Sequence, residues 1–266
     1  MGGRRGIVDV SAGSKHLEPK TLIITIHEEG HPRRESSRKE LGNIGIDGNF
    51  VCGLTPADRE VSDLYWPLGN AIFSKRSLTP QEVAAYASHR RAWREFLASD
   101  RPFALILEDD FHAPEPERLR AAIADCVRNA ERWDVVKFFE FSRKRVWRRR
   151  QLDATSLVAF KYQSAGAVGY LLSRDAATRL LARKRVFRPV DEDMSWSWEF
   201  DLRVWTTDVD LVRDVSHTLG GSQIEASRLH MKRRRNVVRS VWGNAIQAWK
   251  FSRAVVHHLQ GALERG

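Results

Sequence analysis

The chain has 266 residues, of which 42% are hydrophobic, enough for a substantial buried core. This composition and the lack of an internal period argue against a disordered, fibrous or repeat protein. The 44 basic and 34 acidic residues give a formal net charge of +10, so the surface should attract polyanions: nucleic acid, an acidic membrane or a phosphorylated substrate. Cys52 and Cys126 are the only cysteines, which excludes a disulfide scaffold and favours a reducing compartment.

The N-terminal residues 1–20 form a flexible leader in our interpretation, because they lack the apolar core of a secretory signal. No run in the chain approaches the ~18–20 apolar residues that a membrane span requires. We therefore expect a soluble protein that can attach to a membrane surface, with folded structure beginning after Lys20.

The first half of the chain predicts strands and one well-marked helix. Residues 21–26 (TLIITI) form a β-branched apolar run typical of a buried strand, and the Gly- and Pro-rich residues 43–70 predict a long irregular connection. A helix begins at Pro80, because Thr79 is a suitable N-cap and Glu82 completes a capping box. The positions expected on its inner face are apolar or aromatic: Val83, Tyr86, Ala87, Trp93 and Phe96.

The middle of the chain alternates between segments with the hydrophobic pattern of strands and segments with the pattern of helices. Residues 103–107, 135–139 and 167–172 predict buried strands, while 116–132 and 173–182 predict helices. Strands that alternate with helices predict an α/β fold with a mostly parallel sheet.

The C-terminal region has a different character. No acidic residue occurs between Glu225 and Glu264, and apolar residues recur there at helical spacing. This pattern predicts a basic amphipathic helix, or two short helices broken near Gly243. We therefore divide the chain into the leader 1–20, a domain over 21–228 and a basic helical tail over 229–266.

Three carboxylates, Glu108, Asp109 and Asp110, follow directly after the predicted strand 103–107. Ligands of open α/β sheets bind at the carboxyl ends of strands, and alternation would point Glu108 and Asp110 to one side. Two adjacent carboxylates repel each other unless a cation lies between them, and hard oxygen ligands favour Mg²⁺ or Mn²⁺. A solvated acidic loop is the alternative, because three acids in a row are an unspecific pattern.

Several short motifs occur in an order that resembles glycosyltransferase family 25, the bacterial lipooligosaccharide glycosyltransferases that are related to collagen galactosyltransferases. They lie at 22–26, 33–34, 78–82, 88–89, 92–93, 107–110, 166–173, 176, 189–191 and 222–224. The combination of helix start, Ser88-His89 and strand-EDD carries the resemblance, which covers about residues 21 to 225.

The resemblance implies a GT-A-like, Rossmann-type nucleotide-sugar domain that depends on Mn²⁺ or Mg²⁺ and transfers a hexose with inversion. The expected donor is a UDP-sugar, most simply UDP-galactose, and the expected acceptor is a saccharide of lipooligosaccharide or another surface glycan. The cysteine usage, the lack of a membrane span and the basic amphipathic tail predict a cytoplasmic protein that can be peripheral on the inner face of the cytoplasmic membrane.

By the same resemblance, Asp110 and Glu108 stand where the family has its DXD-like metal motif. Glu108, Thr25, His89 and Gly166 are the expected donor-binding positions. A core histidine satisfied by protein groups is the alternative interpretation of His89.

Inverting transfer also requires a general base for the acceptor hydroxyl. Asp191 is our first candidate for this base, with Glu192 and Asp193 as alternatives. The alternative interpretation of these three acids is that they form an exposed turn after Pro189.

The basic run 143–150 and the basic tail can be explained in three ways: contact with an anionic membrane or lipid phosphates, binding to nucleic acid, or docking and solvation at the protein surface. The apolar face of the tail favours membrane contact, so nucleic acid is not an expected partner. The competing functions are a basic nucleic-acid-binding protein and a metal-dependent nuclease that uses the EDD acids.

Overall fold

The computed structural model describes residues 18–74, 76–160, 166–221 and 237–263. Residues 1–17 of the predicted leader and the predicted boundary between 228 and 229 lie outside the described residues. In the described part, ten strands and eight α-helices form a mixed α/β fold, so the α/β part of the predicted fold class is confirmed.

The strands are β1 (Lys20–Thr25), β2 (Asn49–Cys52), β3 (Phe103–Glu108), β4 (Phe111–His112), β5 (Val135–Lys137), β6 (Val146–Gln151), β7 (Ser156–Phe160), β8 (Gly169–Ser173), β9 (Val204–Thr207) and β10 (Arg213–Asp214). The helices are α1 (Pro32–Ile44), α2 (Arg59–Leu64), α3 (Pro67–Phe73), α4 (Pro80–Leu97), α5 (Pro116–Arg128), α6 (Arg174–Leu181), α7 (Val190–Ser195) and α8 (Val237–Leu263). Short 3₁₀ turns lie at Ala130–Arg132, Ser197–Glu199 and Ser216–Thr218.

Eight strands form one sheet in the order β2-β1-β3-β8-β5-β9-β7-β6, and β4 pairs with β10 separately. The pairs β1/β2, β1/β3 and β5/β9 are parallel. The other four pairs of the large sheet, which involve β8 and the β6–β7 hairpin, are antiparallel. The sheet is therefore mixed, and the prediction of a mostly parallel sheet is corrected, because β8 and β7 each run antiparallel to both of their neighbours.

The core lies on both faces of the sheet because side chains alternate along each buried strand. Leu22 and Ile106 face a cluster that includes α2, α4, α6 and α7, while Ile23 and Leu105 face a cluster that includes α1 and α5. Because helices cover both faces of the sheet, the ends of its strands are the part left open to a ligand. The ligand site is expected at the carboxyl ends.

The capping box predicted for α4 is present. Thr79 Oγ1 accepts from the backbone N–H of Glu82 (3.1 Å), and Glu82 Oε2 accepts from the N–H of Thr79 (2.9 Å). All five residues predicted for the inner face of this helix are buried. The local sequence therefore determines both where α4 begins and which face it buries.

One prediction for the first seventy residues is wrong, and one helix there was missed. The region 43–70 is not one long irregular connection, because it contains β2, α2 and the start of α3. Helix α1 was not predicted because two of the four residues on its buried face, Ser37 and Glu40, are polar. Their polar atoms find distant partners: Ser37 Oγ donates to the carbonyl oxygen of Asp109 (3.1 Å), and Glu40 accepts from the N–H of Ala113 (2.9 Å).

The C-terminal segment is one helix, α8, that continues through Gly243 without a break. It docks on the rest of the protein, because Trp242 Nε1 donates to the carbonyl oxygen of Ile72 (2.7 Å) and Lys250 Nζ donates to Ser195 Oγ (2.7 Å). Docking was one of the alternatives left open for this segment. Among the described residues, no helix has the length and apolarity that a membrane crossing needs.

Candidate active site

The predicted acids lie where β3 ends beside β1. Glu108 is the last residue of β3, and Asp109 and Asp110 form the turn that follows it. Thr25 ends the neighbouring strand β1, and its hydroxyl donates to Asp109 Oδ2 (2.5 Å). Because these two strands are parallel, their carboxyl ends bring Thr25 and the acids to the same edge of the sheet.

Arg33 of α1 contacts two of the three acids. Its Nη1 donates to Asp109 Oδ1 (2.8 Å) and to Asp110 Oδ2 (3.1 Å). Its other nitrogens donate to the carbonyl oxygens of Leu219 (3.3 Å) and Gly221 (2.7 Å). The prediction that Asp109 faces away from Asp110 is wrong, because the strand ends at Glu108 and the turn points both aspartates at the same arginine.

Glu108 points toward α4 and meets His89 there. His89 Nε2 lies 3.2 Å from Glu108 Oε1, and Nδ1 lies 2.9 Å from the hydroxyl of Tyr170. The Tyr170 hydroxyl accepts from Trp93 Nε1 (2.8 Å), so its own proton can point to Nδ1. His89 would then carry its proton on Nε2 and donate it to Glu108, which makes this buried histidine an anchor for the Glu108 carboxylate.

The Asp110 carboxyl lies in an environment that disfavours its charge. Burial, followed by the negative charges of Glu108 and Asp214, raises the pKa of Asp110 to about 8, although Arg33 opposes the rise. Its Oδ1 is buried, and no described residue forms a hydrogen bond with that oxygen. The cluster therefore has more negative charge than Arg33 neutralises and an oxygen open to a further cation.

These acids fit a divalent cation by their chemistry. Carboxylate oxygens are the ligands that Mg²⁺ and Mn²⁺ prefer, and Mg²⁺ is commonly held by one or two carboxylates together with substrate phosphates. Within the described ranges, no group of three or more His, Cys, Asp or Glu side chains could hold a metal ion. A cation held by Asp110 and Glu108 would complete its coordination with phosphate oxygens or water, as Mg²⁺ commonly does.

Asp191 is connected to the same edge of the sheet through the backbone before β8. Its Oδ2 accepts from the N–H of Gly166 (3.1 Å), and two residues later the carbonyl oxygen of Val168 accepts from the N–H of Glu108 (2.9 Å). Gly166 has a φ of 132°, a value that L side chains rarely adopt, and an added Cβ would lie 3.1 Å from Phe139. A glycine is therefore needed at the position that holds Asp191.

The two alternatives to Asp191 have different environments. Asp193 is fully buried, accepts from the hydroxyl of Tyr86 (2.7 Å) and forms ion pairs with Arg183 (2.9 Å) and Arg188 (3.0 Å). Its carboxylate is enclosed by protein groups, which makes it a structural acid. Asp191 and Glu192 are only partly buried and remain the candidates for proton transfer.

The basic run 143–150 forms the edge strand β6 and the turn before it. Two of its arginines are paired with acids, Arg143 with Asp210 (2.5 Å) and Arg149 with Asp208 (3.1 Å). Part of the positive charge that could attract nucleic acid is therefore neutralised within the protein.

The sequence predicted a site that contains Thr25, His89, Glu108, Asp110, Gly166 and Asp191. His89 meets Glu108 directly, and Asp109, Arg33 and Val168 connect the others. Arg33 lies in one of the motifs that carry the family resemblance, but no role was predicted for it. The polar sequence around Arg33 contains no pattern that would indicate one. Lys250 of α8 was not predicted near the site. One feature of the sequence could have indicated its position: Lys250 is a single lysine within an apolar stripe of the predicted helix.

The fold and the site define an α/β protein with a carboxylate cluster at the carboxyl ends of two parallel strands. Residues 18–196 match the family model described as "Glycosyltransferase family 25 (LPS biosynthesis protein)". Since the match covers more than half of the 266 residues, the chain belongs to glycosyltransferase family 25.

Two curated relatives agree with this family. The chain is 26% identical over 160 residues to the lipooligosaccharide biosynthesis protein lic2B of Haemophilus influenzae, an alignment that covers 57% of this chain and 59% of that protein. It is 32% identical over 183 residues to a glycosyltransferase 25 family member of Drosophila pseudoobscura pseudoobscura, covering 64% of this chain and 29% of that protein. The chain thus spans well under two thirds of the length of either relative.

Among solved structures, the chain resembles A197 from STIV. The TM-score is 0.37 with 14% identity, over 73% of this chain and 83% of that one. A similarity at this level carries no argument about fold or function.

Proposed function

We propose that this protein is a metal-dependent, inverting glycosyltransferase with a GT-A-like nucleotide-sugar domain. It transfers a hexose, most simply galactose, from a UDP-sugar to a saccharide acceptor of lipooligosaccharide or another surface glycan. The family membership supports sugar transfer. The proposed metal site, and with it the binding of a diphosphate, is supported by one observation above all. Asp110 has a buried oxygen without a hydrogen-bond partner among the described residues, at strand ends where negative charge exceeds positive charge.

Asp110 and Glu108 would hold the Mn²⁺ or Mg²⁺ ion. When bound, such an ion supplies positive charge that stabilises the diphosphate leaving group. The protein orients these two ligands independently: His89 fixes the Glu108 carboxylate, and Arg33 holds the second oxygen of Asp110. Thr25 holds Asp109, and this bond keeps the turn at the end of β3 in place.

Asp191 would accept the proton of the acceptor hydroxyl. In-line displacement at the anomeric carbon requires the acceptor to lose a proton as the sugar–phosphate bond breaks, and a carboxylate within hydrogen-bonding reach can take it. The N–H groups of Gly166 and Glu192 orient the Asp191 carboxylate, with distances of 3.1 and 2.8 Å. Gly166 provides the backbone conformation that presents its N–H to Asp191.

The test is donor hydrolysis and sugar transfer by Asp110→Asn with UDP-hexoses and Mn²⁺. We expect a loss of at least about 100-fold in kcat/KM, with thermal stability nearly unchanged, because asparagine keeps the shape and removes the charge that holds the ion. The matched control is Asp100→Asn, an exposed acid just before the other end of β3, which should keep full activity. A folded, fully active Asp110→Asn protein would refute the metal assignment.

We also place the protein on the inner face of the cytoplasmic membrane as a peripheral protein. The support is a set of exposed apolar side chains where α8 contacts α3: Leu68, Ile72 and Phe73 of α3, and Trp242 of α8, whose indole donates to the carbonyl oxygen of Ile72. The variant Leu68→Ser/Ile72→Ser, which changes two exposed side chains of α3, should sediment less with anionic liposomes than the wild-type protein. Equal sedimentation of both proteins would contradict this placement.

A further inference from the structure

Helix α8 lies beyond residues 18–196 that match the family, yet it contacts the rest of the protein along most of its described length. Its contacts to Ile72 and Ser195 are joined by a third, from His257 Nε2 to the carbonyl oxygen of Leu202 (3.3 Å). The buried positions between them, Gly243, Ile246, Lys250 and Ala254, are spaced as one helical face. This face is the docking stripe of α8.

Lys250 lies in the middle of the docking stripe and is only 2% exposed. Its Nζ is 5.5 Å from the centre of the Trp196 ring, and the neighbouring Trp249 packs against Trp196 and Trp198. A buried ammonium is costly, and an apolar residue of similar length would dock this helix at least as well. A lysine at this position therefore suggests a role other than holding the helix.

The acids near Lys250 belong to α7. Lys250 Nζ donates to Ser195 Oγ, and that hydroxyl donates to the carbonyl oxygen of Glu192 (2.7 Å). Burial raises the pKa of Glu192, and Lys250 is the strongest charge that opposes the rise, ahead of Arg188. In return, burial lowers the pKa of Lys250 to about 8, while Glu192 and then Asp191 oppose that change. The ammonium and the two acids therefore stabilise each other.

Other charges also face these groups. Arg76, from the segment before α4, acts on both Glu192 and Asp191. Asp193 of α7 adds negative charge near Glu192, and Lys137 of β5 acts on Lys250. Among these groups, Lys250 is the one that reaches α7 from a helix outside the matched region.

We propose that α8 is part of the candidate active site and that Lys250 is a positioning residue, whose ammonium is the counter-charge that orients the Asp191–Glu192 pair. The inference rests on the proposed function, in which Asp191 is the general base. It assigns the C-terminal helix a role in the transfer reaction in addition to any contact with a membrane.

The kinetic test compares Lys250→Met, Lys250→Arg and Arg253→Met. Lys250→Met should lower kcat about tenfold or more, with little change in the donor KM. It should also move the acidic limb of the pH profile of kcat/KM to higher pH, because the general base loses its counter-charge. Lys250→Arg should recover part of the rate. Arg253 is exposed on the same helix, so Arg253→Met is the matched control and should keep the wild-type profile.

A second measurement does not depend on activity. In a double-mutant cycle of Lys250→Met with Glu192→Gln, followed by urea unfolding, the effects of the two changes should differ from additivity by about tenfold in the unfolding equilibrium constant. Additive effects would overturn the proposed pairing, whatever the activity.

The two measurements separate the possible failures. Coupling in the cycle together with a wild-type kcat and pH profile in Lys250→Met would reduce Lys250 to a docking residue and overturn the positioning role. A wild-type protein that transfers no sugar from any UDP-hexose would instead refute the proposed function, and the cycle alone would then decide whether Lys250 and Glu192 form a pair.

Discussion

Two acidic clusters in this protein differ in how their charge is balanced. The strand-end cluster, Glu108, Asp109 and Asp110, has Arg33 as its arginine, and Asp110 Oδ1 is buried with neither a hydrogen bond nor an ion pair among the described residues. The α7 cluster pairs Asp193 and Glu199 with two arginines, Arg183 and Arg188.

The arginines of the α7 cluster are also packed against aromatic rings. Arg188 is fully buried, and its guanidinium lies 3.8 Å from the centre of the Trp196 ring. The comparison explains how acidic residues have two different roles in this protein. Surplus negative charge at the strand ends attracts a cation, whereas balanced charge around Asp193 holds α7 in place.

The largest expected effect is the loss of balance in the α7 cluster. Asp193→Asn would leave Arg183 and Arg188 short of negative charge, and removing one partner from a buried ion pair costs about 3–5 kcal/mol. Urea unfolding would measure this loss. Asp201→Asn, at an exposed acid nearby, should change the free energy of unfolding by less than about 0.5 kcal/mol. If Asp193→Asn were equally harmless, the balanced-charge interpretation would be wrong.

A smaller effect is expected when Arg33 is removed from the strand-end cluster. Arg33→Met leaves Asp109 and Asp110 without their cation and should cost about 2 kcal/mol. Mn²⁺ should restore much of the lost melting temperature and should stabilise this variant more than the wild-type protein, because binding to the folded state stabilises it. Lys39→Met, on the exposed face of the same helix, is the control. Equal Mn²⁺ shifts in all three proteins would contradict a cation site here.

The smallest effect concerns the pH dependence of stability. The pKa of Lys250 is about 8 in the folded protein and 10.5 without the burial, so the unfolded chain binds more protons between these values. Stability should therefore rise with pH from about 8 to 10.5 in the wild-type protein relative to Lys250→Met, by about 1–2 kcal/mol, since relaxation of the protein around the neutral amine reduces the full effect of the shift. Parallel stability curves for the two proteins would show that Lys250 is not a buried cation.

Helices with strong local signals were predicted well from the sequence. Thr79 and Glu82 form their capping box within one turn, and Ser173 accepts from the N–H of Ala176 (3.2 Å) at the start of α6, as expected from its position before that helix. Helix α1 was missed because its buried polar residues are satisfied by groups that follow β3, and no local pattern shows such partners.

The sequence by itself determined the buried strands β1 and β3, the start of α4, the position of the acids after β3 and the family to which the chain belongs. The tertiary structure decided that β8 runs antiparallel beside β3, that Arg33 meets acids 76 and 77 positions away, and that Lys250 meets α7 from 55 positions away. The physical reason is range: caps and periodicity act over a few residues, whereas charges pair according to which distant segments packing brings together.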